Sequence, residues 1–359
     1  GCQAGQELKD NECLDCGKNS YSLVATTECK QCPSGKAICD GGNNIAAESG
    51  YWRLDQNSDI FLECSQKDNC PGGFDQDAIC KEGHEGTLCN SCKPGYFLFG
   101  GTTCLRCLED RGQIIATVGL LILSYMVILY FIVYKTIVNS TNEKKITPIL
   151  IKILANHIQV IFLASAYELQ WPDLLLQVLA VNNETASILS NGFYIDCLIT
   201  ANNRGTVTDR YFMKVVFSIS VSLFYTFISP VIVFIYYLAK RYIYKEHMDR
   251  EQLKNYCFGA ILILGLLQHS MVTRQIFSLF SCRKLIDGGD QSYIQNSLDT
   301  PCWDDNHLFW VYLVGIPGLI FWVIGVPIVS LVLLIRNKMY FHSAGVKQKY
   351  GFLIKGYKS

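Results

Sequence analysis

Four pairs of cysteines with the spacing Cys-x-x-Cys lie within residues 1–107, and three chemistries use this spacing. The pairs are Cys13/Cys16, Cys29/Cys32, Cys89/Cys92 and Cys104/Cys107. Paired thiols can bind zinc, exchange with other disulfides, or join a structural disulfide framework. Redox motifs need a strand–helix context that the glycine-rich turns around these pairs do not provide. Zinc ribbons use this spacing in reducing compartments, whereas the topology and glycosylation signals of this chain indicate an oxidising one. We therefore expect structural disulfides, with no metal and no cofactor.

The distribution of all 17 cysteines also indicates an oxidising compartment. Thirteen lie between Cys2 and Cys107, and Cys257 alone falls inside a long apolar stretch. Dense cysteines in a short segment are typical of secreted disulfide frameworks. We predict disulfides at Cys13, Cys16, Cys29, Cys32, Cys39, Cys64, Cys70, Cys80, Cys89, Cys92, Cys104, Cys107, Cys197, Cys282 and Cys302.

The connectivity stays open because thirteen is an odd number. In one arrangement Cys197 bonds the cysteine-rich segment, and Cys282 bonds Cys302. In the other, Cys2 pairs with a cysteine upstream, and the chain is a processed form or a fragment that begins at Gly1. Spacing alone does not decide between these arrangements.

Another pattern between the cysteine clusters could bind a metal. Asp55, Asn57 and Asp59 alternate in the manner of calcium ligands, but Ile60 stands where a calcium loop has glycine. Calcium is therefore the less favoured interpretation, and we expect no metal site here.

Five apolar stretches follow the cysteine-rich segment. The chain has 359 residues, of which 50% are hydrophobic, and its mean hydropathy is +0.20. A helix needs about 20 apolar residues to cross a hydrocarbon core about 30 Å thick. The expected fold is a small disulfide-rich ectodomain of short strands and turns plus an all-α polytopic membrane bundle of five helices. We place the five spans at 112–138, 146–171, 211–238, 255–281 and 308–335.

Charge and glycosylation signals predict the orientation of the chain. Lysine and arginine concentrate in the expected inner loops 137–145 and 240–254 and after Arg336, whereas the expected outer loops are rich in aspartate. A glycosylation sequon at Asn183 falls in an outer loop. We therefore expect a plasma or ciliary membrane protein with an extracellular N-terminus and a cytoplasmic C-terminus. Its expected domains are the ectodomain 1–107, the transmembrane domain 108–339 and a truncated tail 340–359.

Polar side chains within the expected spans are candidates for function because they are costly to bury in lipid. In the second span Lys152, Asn156 and Gln159 share one helical face and His157 lies on another, which predicts that this span is the most buried of the five. Glu168 and Arg274 are expected at similar depth and could form an ion pair; alternatively, Arg274 reaches the outer surface alone. The candidates are Lys152, Asn156, His157, Gln159, Glu168, Gln268, His269 and Arg274.

Two prolines in the fifth span predict kinks. Pro317 and Pro327 each follow a glycine by two residues, ten residues apart. A proline removes one backbone donor and clashes with the preceding turn. Such kinks can act as hinges, although packing alone is the favoured interpretation.

Two motifs in the expected ectodomain resemble known extracellular modules. Cys13-Leu14-Asp15-Cys16-Gly17 followed by Cys29-Lys30-Gln31-Cys32-Pro33-Ser34-Gly35 is similar to growth-factor-receptor-like repeats. The segment 83–97, GHEGTLCNSCKPGYF, resembles a laminin-type EGF signature. Glycine, proline and disulfides suit units too short to build a hydrophobic core.

The part of the chain after Cys107 contains further motifs, which are Lys152-Ile153-Leu154-Ala155-Asn156-His157-Ile158-Gln159, Leu169-Gln170-Trp171-Pro172, Cys302-Trp303, His307 and Gly325-Val326-Pro327. Together with the cysteine-rich motifs, they resemble large polytopic surface proteins of ciliates and other protists. These include mating-type proteins and proteins labelled as similar to transient-receptor-potential proteins. The resemblance implies a cell-surface glycoprotein that takes part in cell recognition.

Two classes of function follow. The first is a receptor or adhesion protein whose disulfide-stapled ectodomain recognises a partner while the bundle anchors it in a larger complex. The second is a subunit or fragment of a transient-receptor-potential-like cation channel. The sequence has no P-loop, H-E-x-x-H motif or nucleophile elbow, so we expect no enzyme, and its net charge of zero indicates no nucleic-acid partner. The expected partners are membrane lipid and other membrane or extracellular proteins.

Overall fold

The structure is a computed structural model with two parts, which we call the cysteine-rich region (residues 2–107) and the helical region (residues 111–354). It describes residues 2–25, 28–74, 79–99, 103–139, 147–164, 195–202, 207–243, 245, 249–286, 289–341 and 343–354.

Small antiparallel hairpins build the cysteine-rich region. Twelve short strands pair consecutively into six two-stranded sheets. They are β1 (Gln6–Lys9), β2 (Glu12–Asp15), β3 (Ser20–Tyr21), β4 (Lys30–Gln31), β5 (Ala37–Gly41), β6 (Asn44–Ala47), β7 (Tyr51–Arg53), β8 (Phe61–Glu63), β9 (His84–Glu85), β10 (Ser91–Cys92), β11 (Tyr96–Phe99) and β12 (Thr103–Arg106).

The turns follow from local sequence. Between β1 and β2, Asp10 and Asn11 both have positive φ, 51° and 70°, and Lys9 pairs with Glu12. Two-residue hairpin loops with positive φ at both positions match the twist of the strands, and aspartate and asparagine tolerate this conformation. The hairpin therefore needs no hydrophobic core to fix its register.

Arg53 organises the acidic loop between β7 and β8. Its guanidinium donates to the carbonyl oxygens of Ile45 at 2.6 Å, Gln56 at 2.6 Å and Ser58 at 2.8 Å. Five N–H donors in a planar fork suit such a cage of carbonyls. A side-chain cation thus closes the loop that contains Asp55 and Asn57.

Seven helices lie in the described part of the helical region, together with a three-stranded sheet. The helices are α1 (Arg111–Val138), α2 (Thr147–Ala164), α3 (Ile195–Asn202), α4 (Val207–Tyr242), α5 (Arg250–Ser278), α6 (Asp305–Tyr340) and α7 (Ala344–Ile354). Between α5 and α6 lie β13 (Cys282–Lys284), β14 (Ser292–Ile294) and β15 (Ser297–Pro301), in the order β13-β14-β15.

Four of these helices are long and apolar enough to cross a membrane, rather than the five expected. They are α1, α4, α5 and α6. The expected second span, 146–171, corresponds to α2 over 18 residues, and its remaining part lies outside the described residues. The 18 described residues account for about 27 Å of helix, compared with a hydrocarbon core of about 30 Å.

The bundle core lies where α1, α4, α5 and α7 meet. Its buried residues include Val133, Tyr225 and Leu264, with Phe352 from α7. Gly259 allows α7 to approach closely, because a Cβ at this position would lie 2.9 Å from the Gln348 carbonyl oxygen. The core therefore depends on a small residue on α5.

Wide turns precede both prolines of α6. The segments Val311–Gly315 and Leu319–Ile324 are π-helical, and α-helical turns follow each of them. The carbonyls that lose their usual donors belong to Leu313 and Val323, four residues before Pro317 and Pro327, and both lie in the π-helical segments. Widening the helix there accommodates each proline ring.

Candidate functional site

The disulfide framework extends from the cysteine-rich region into the helical region. All 17 cysteines lie in the described ranges, and every one except Cys257 is bonded. The two halves of each Cys-x-x-Cys pair belong to different bridges, so these pairs act structurally. The bridges are Cys2–Cys13, Cys16–Cys29, Cys32–Cys39, Cys64–Cys70, Cys80–Cys89, Cys92–Cys104, Cys107–Cys197 and Cys282–Cys302.

One bridge joins the two regions covalently. Cys107 ends the cysteine-rich region, and Cys197 lies on α3, 90 residues later. Cys197 is buried beside Phe97 and Ile114. Closing a loop of this length stabilises the folded state by roughly 4–5 kcal/mol in the chain-entropy account. Of the two arrangements left open by the cysteine count, the structure therefore has the one in which Cys197 bonds the cysteine-rich region.

An ion pair forms the second attachment. The Arg210 Nη2 atom, in the first turn of α4, lies 2.8 Å from Glu85 Oε1 in β9. Arg210 Nη1 also donates to the Cys92 carbonyl oxygen at 3.1 Å. The Arg210 and Glu85 side chains are only 15% and 28% exposed, so water screens this pair less than a surface pair.

Asp299 of β15 forms a third attachment. Its carboxylate accepts hydrogen bonds from the Thr87 backbone N–H at 2.7 Å and from Ser91 Oγ at 2.6 Å. The neighbouring Leu298 is buried against Leu88. Gly86 has a φ of +78°, and a Cβ there would collide with the Asp299 carboxylate. We call the contact among Glu85, Thr87, Ser91, Arg210 and Asp299 the junction.

His84 supports the junction from within the cysteine-rich region. It is 1% exposed, and its Nε2 accepts a hydrogen bond from the Cys104 backbone N–H at 3.1 Å. Its Nδ1 therefore carries the proton and donates to the Cys89 carbonyl oxygen at 3.1 Å. Burial, followed by the nearby positive charge of Lys81, lowers the pKa of His84, whereas the Cys89 contact opposes that shift. The neutral imidazole thus connects two disulfide-bonded segments.

A second buried histidine, in the first turn of α6, links the residues on either side of the three-stranded sheet. His307 accepts a hydrogen bond at Nδ1 from the Trp303 backbone N–H at 2.9 Å and donates from Nε2 to the Leu279 carbonyl oxygen at 2.8 Å. The sulfur atoms of Cys282 and Cys302 lie within 4.8 Å of this ring, a spacing that a metal could use. Because the sulfurs are bonded to each other and both ring nitrogens are occupied, the cluster serves as a structural link.

The structure separates the polar candidates of the expected spans. Lys152 donates to the Leu353 carbonyl oxygen at 3.0 Å, at the C-terminal end of α7, where a cation suits the helix dipole. Gln268 is 1% exposed and donates to Thr226 Oγ1 at 3.3 Å. Asn156 and His157 are exposed on α2, so the described part of that helix is not buried on both faces.

Of the remaining polar candidates in the expected spans, one is a histidine with a buried ring nitrogen, and two lie wholly or partly outside the described residues. The Nε2 atom of His269 is buried and has no hydrogen-bond partner among the described residues. The expected Glu168–Arg274 ion pair stays untested, because Glu168 lies outside the described residues. The Gln159 side chain and the Asn183 sequon also lie outside them.

Comparison with known proteins gives one relative that spans both regions. The chain matches no protein-family model and no solved structure. It is 23% identical to "Cysteine repeat modular protein A" of Toxoplasma gondii over 95% of its own length. The chain is a distant relative of that cysteine repeat modular protein. Because it covers only 14% of the relative's length, the similarity describes one portion of a much longer protein.

The similarity to cysteine repeat modular protein A supports part of the expected family resemblance. Since 95% of the chain is matched, the similarity includes both the cysteine-rich and the helical regions. Residues 2–107 form a series of disulfide-bonded hairpins, so the N-terminal region consists of disulfide-rich cysteine repeats. The ciliate, EGF-like and receptor assignments stay predictions.

Sequence reasoning missed the two residues that hold the junction from the helical side. Arg210 is 125 positions from Glu85, and Asp299 is 208 positions from Ser91. One signal was available for Arg210, because it stands at the outer end of an expected span, where the charge rule disfavours cations. Asp299 is one of several aspartates in the expected outer loops, and nothing in its local sequence distinguishes it.

Proposed function

We propose that the protein is a cell-surface receptor or adhesion protein whose disulfide-bonded hairpins recognise a partner. The helical region anchors these hairpins in the membrane within a larger complex. The observation that carries this proposal is the threefold attachment of the two regions by Cys107–Cys197, Glu85–Arg210 and Asp299. A recognition module held in this way transmits a load on the hairpins directly to the helices.

The exposed part of the cysteine-rich region is suited to presenting recognition loops. Six disulfides lie wholly within this region and fix its backbone, whereas side chains such as Leu8, Leu14 and Ile38 stay exposed on the strands. Rigid loops lose little conformational entropy when they bind. Disulfides also persist in oxidising compartments, which supports an extracellular location for this region at a plasma or ciliary membrane.

A cation channel is the second candidate. It is favoured by Gln268, which lies almost completely buried between two long apolar helices and whose Oε1 atom accepts no hydrogen bond from the described residues. Thr226 and Ser229 lie on the facing helix, and their hydroxyls bond to backbone carbonyls of that helix. Polar side chains inside membrane helices can mark ion pathways.

The test of the receptor proposal is a cell-binding assay with the full chain. Non-adherent cells that display it should bind cells of the source organism, and cells displaying a chain without residues 2–107 should not. Binding that is equal with and without these residues would refute the recognition role.

A bilayer recording separates the two candidates. The purified full chain in planar bilayers should give no cation conductance if the helices serve as an anchor. A selective conductance that is lost in Gln268→Leu, while Gln275→Leu leaves it unchanged, would favour the channel.

A further inference from the structure

A groove between α1 and α4 is open at the bundle surface, at the end of the bundle away from the junction. Its volume is about 330 Å³, within the range of about 300–1,000 Å³ for small-ligand sites. Its lining is almost entirely apolar, and α5 contributes Tyr256. The lining residues that matter here are Tyr130, Phe131, Tyr134, Ile232, Tyr236 and Tyr256.

Two tyrosines from different helices close one side of the groove. The rings of Tyr134 and Tyr236 meet edge to face with centroids 5.5 Å apart. Val133 and Ile137 are buried behind them, so the groove is a shaped cleft with a packed floor. An apolar chain in this cleft would contact two membrane-spanning helices at once.

Two lysines place positive charge at the rim of this cleft. The Lys135 ammonium lies 5.4 Å from the centroid of the Phe131 ring, which lines the groove. Lys240 follows Tyr236 by one helical turn on α4, so the two side chains lie on the same face of that helix. Basic residues beside grooves between membrane helices are suited to anionic lipid head groups.

We propose that this groove binds one acyl chain of an anionic phospholipid, with the negatively charged head group at Lys135 and Lys240. The apolar lining accounts for the chain, and the two rim lysines account for the negative charge of the head group. Tyrosine hydroxyls suit the boundary between the apolar and polar parts of a lipid. The site is independent of the junction and of any partner of the cysteine-rich region.

The test is native mass spectrometry of the purified full chain in detergent, with phosphatidylserine and phosphatidylcholine of identical acyl chains as probes. Wild-type protein should retain phosphatidylserine preferentially, by about fivefold for each lysine close to the head group, because phosphatidylserine has a net negative charge whereas phosphatidylcholine is neutral overall. The double variant Lys135→Gln/Lys240→Gln should lose this preference and keep a weaker, equal retention of both lipids.

A matched pair of substitutions tests the groove itself. Ile232→Trp fills the cleft and should abolish retention, whereas Val231→Trp, on the exposed neighbouring face of α4, should not. Thermal unfolding of both variants checks that they fold equally well. Equal retention of the two lipids by the wild type, retention unaffected by Ile232→Trp, or displacement of phosphatidylserine by a sterol would each overturn the proposal.

Discussion

The Arg210 Nη2 atom lies 2.8 Å from Glu85 Oε1 and joins the first turn of α4 to a strand of the cysteine-rich region. The same guanidinium also bonds the Cys92 carbonyl oxygen, so a single side chain fastens both strands of the β9–β10 hairpin. This contact lies beside Asp299, which accepts hydrogen bonds from Thr87, in the loop between the same two strands, and from Ser91 of β10. The hairpin is therefore held from two separate elements of the helical region.

The ion pair should show energetic coupling. Glu85→Gln and Arg210→Gln should each lower the free energy of unfolding by about 1–3 kcal/mol, because each leaves a partly buried charge without its partner. The double variant should cost less than the sum of the two. Denaturant unfolding of the full chain in detergent measures these values, and strictly additive losses would show that the pair contributes nothing.

An exposed ion pair provides the control for this double-mutant cycle. Lys18 and Asp40 lie 3.7 Å apart, with side chains 84% and 63% exposed. Water and salt screen such a pair strongly. The corresponding cycle of Lys18→Gln and Asp40→Asn should therefore give no measurable coupling.

Gly86 should be intolerant of a side chain for a reason beyond its backbone angle. Gly86→Ala and Gly95→Ala both place alanine at positive φ, +78° and +90°, but only the first brings a Cβ onto the Asp299 carboxylate. Gly86→Ala should lower the melting temperature more than Gly95→Ala. In an Asp299→Gly background the difference between the two should shrink, and an unchanged difference would contradict a steric role for the Asp299 carboxylate.

His84 should make the cysteine-rich region sensitive to acid. Its pKa is lower in the folded than in the unfolded chain, chiefly because of burial, so the unfolded chain binds more protons between the two values. Stability should fall as the pH drops below about 6.5, the usual histidine value. A proton on Nε2 would also face the Cys104 backbone N–H, which now donates to that atom.

A variant without the imidazole separates the contribution of His84 to the pH dependence of stability from that of other titrating groups. Unfolding free energies at about pH 7.5 and about pH 5.5 should differ more in the wild type than in His84→Gln, because glutamine does not titrate. An equal difference in both proteins would mean that other groups cause the acid sensitivity.

The sequence predicted the parts of this fold that depend on local pattern. The cysteines that bond and the four long helices follow from cysteine density and from runs of apolar residues. The expected second span differs because the structure describes only part of it, as α2, and that part is not among the four long apolar helices. The partners of Cys107, Arg210 and Asp299 could not be predicted in this way, since contacts across 90 or more positions depend on how the elements pack.

The attachment of the cysteine-rich region to the helices is tested most directly by cutting the chain between them. A protease recognition sequence in place of residues 141–145 separates α1 from the later helices, and Cys107–Cys197 is the only disulfide that crosses this cut. On a denaturing gel the cleaved full chain should keep its full mass without reductant and split into two fragments with it. The variant Cys107→Ser/Cys197→Ser should split in both conditions. Separation of the wild-type fragments without reductant would contradict the account.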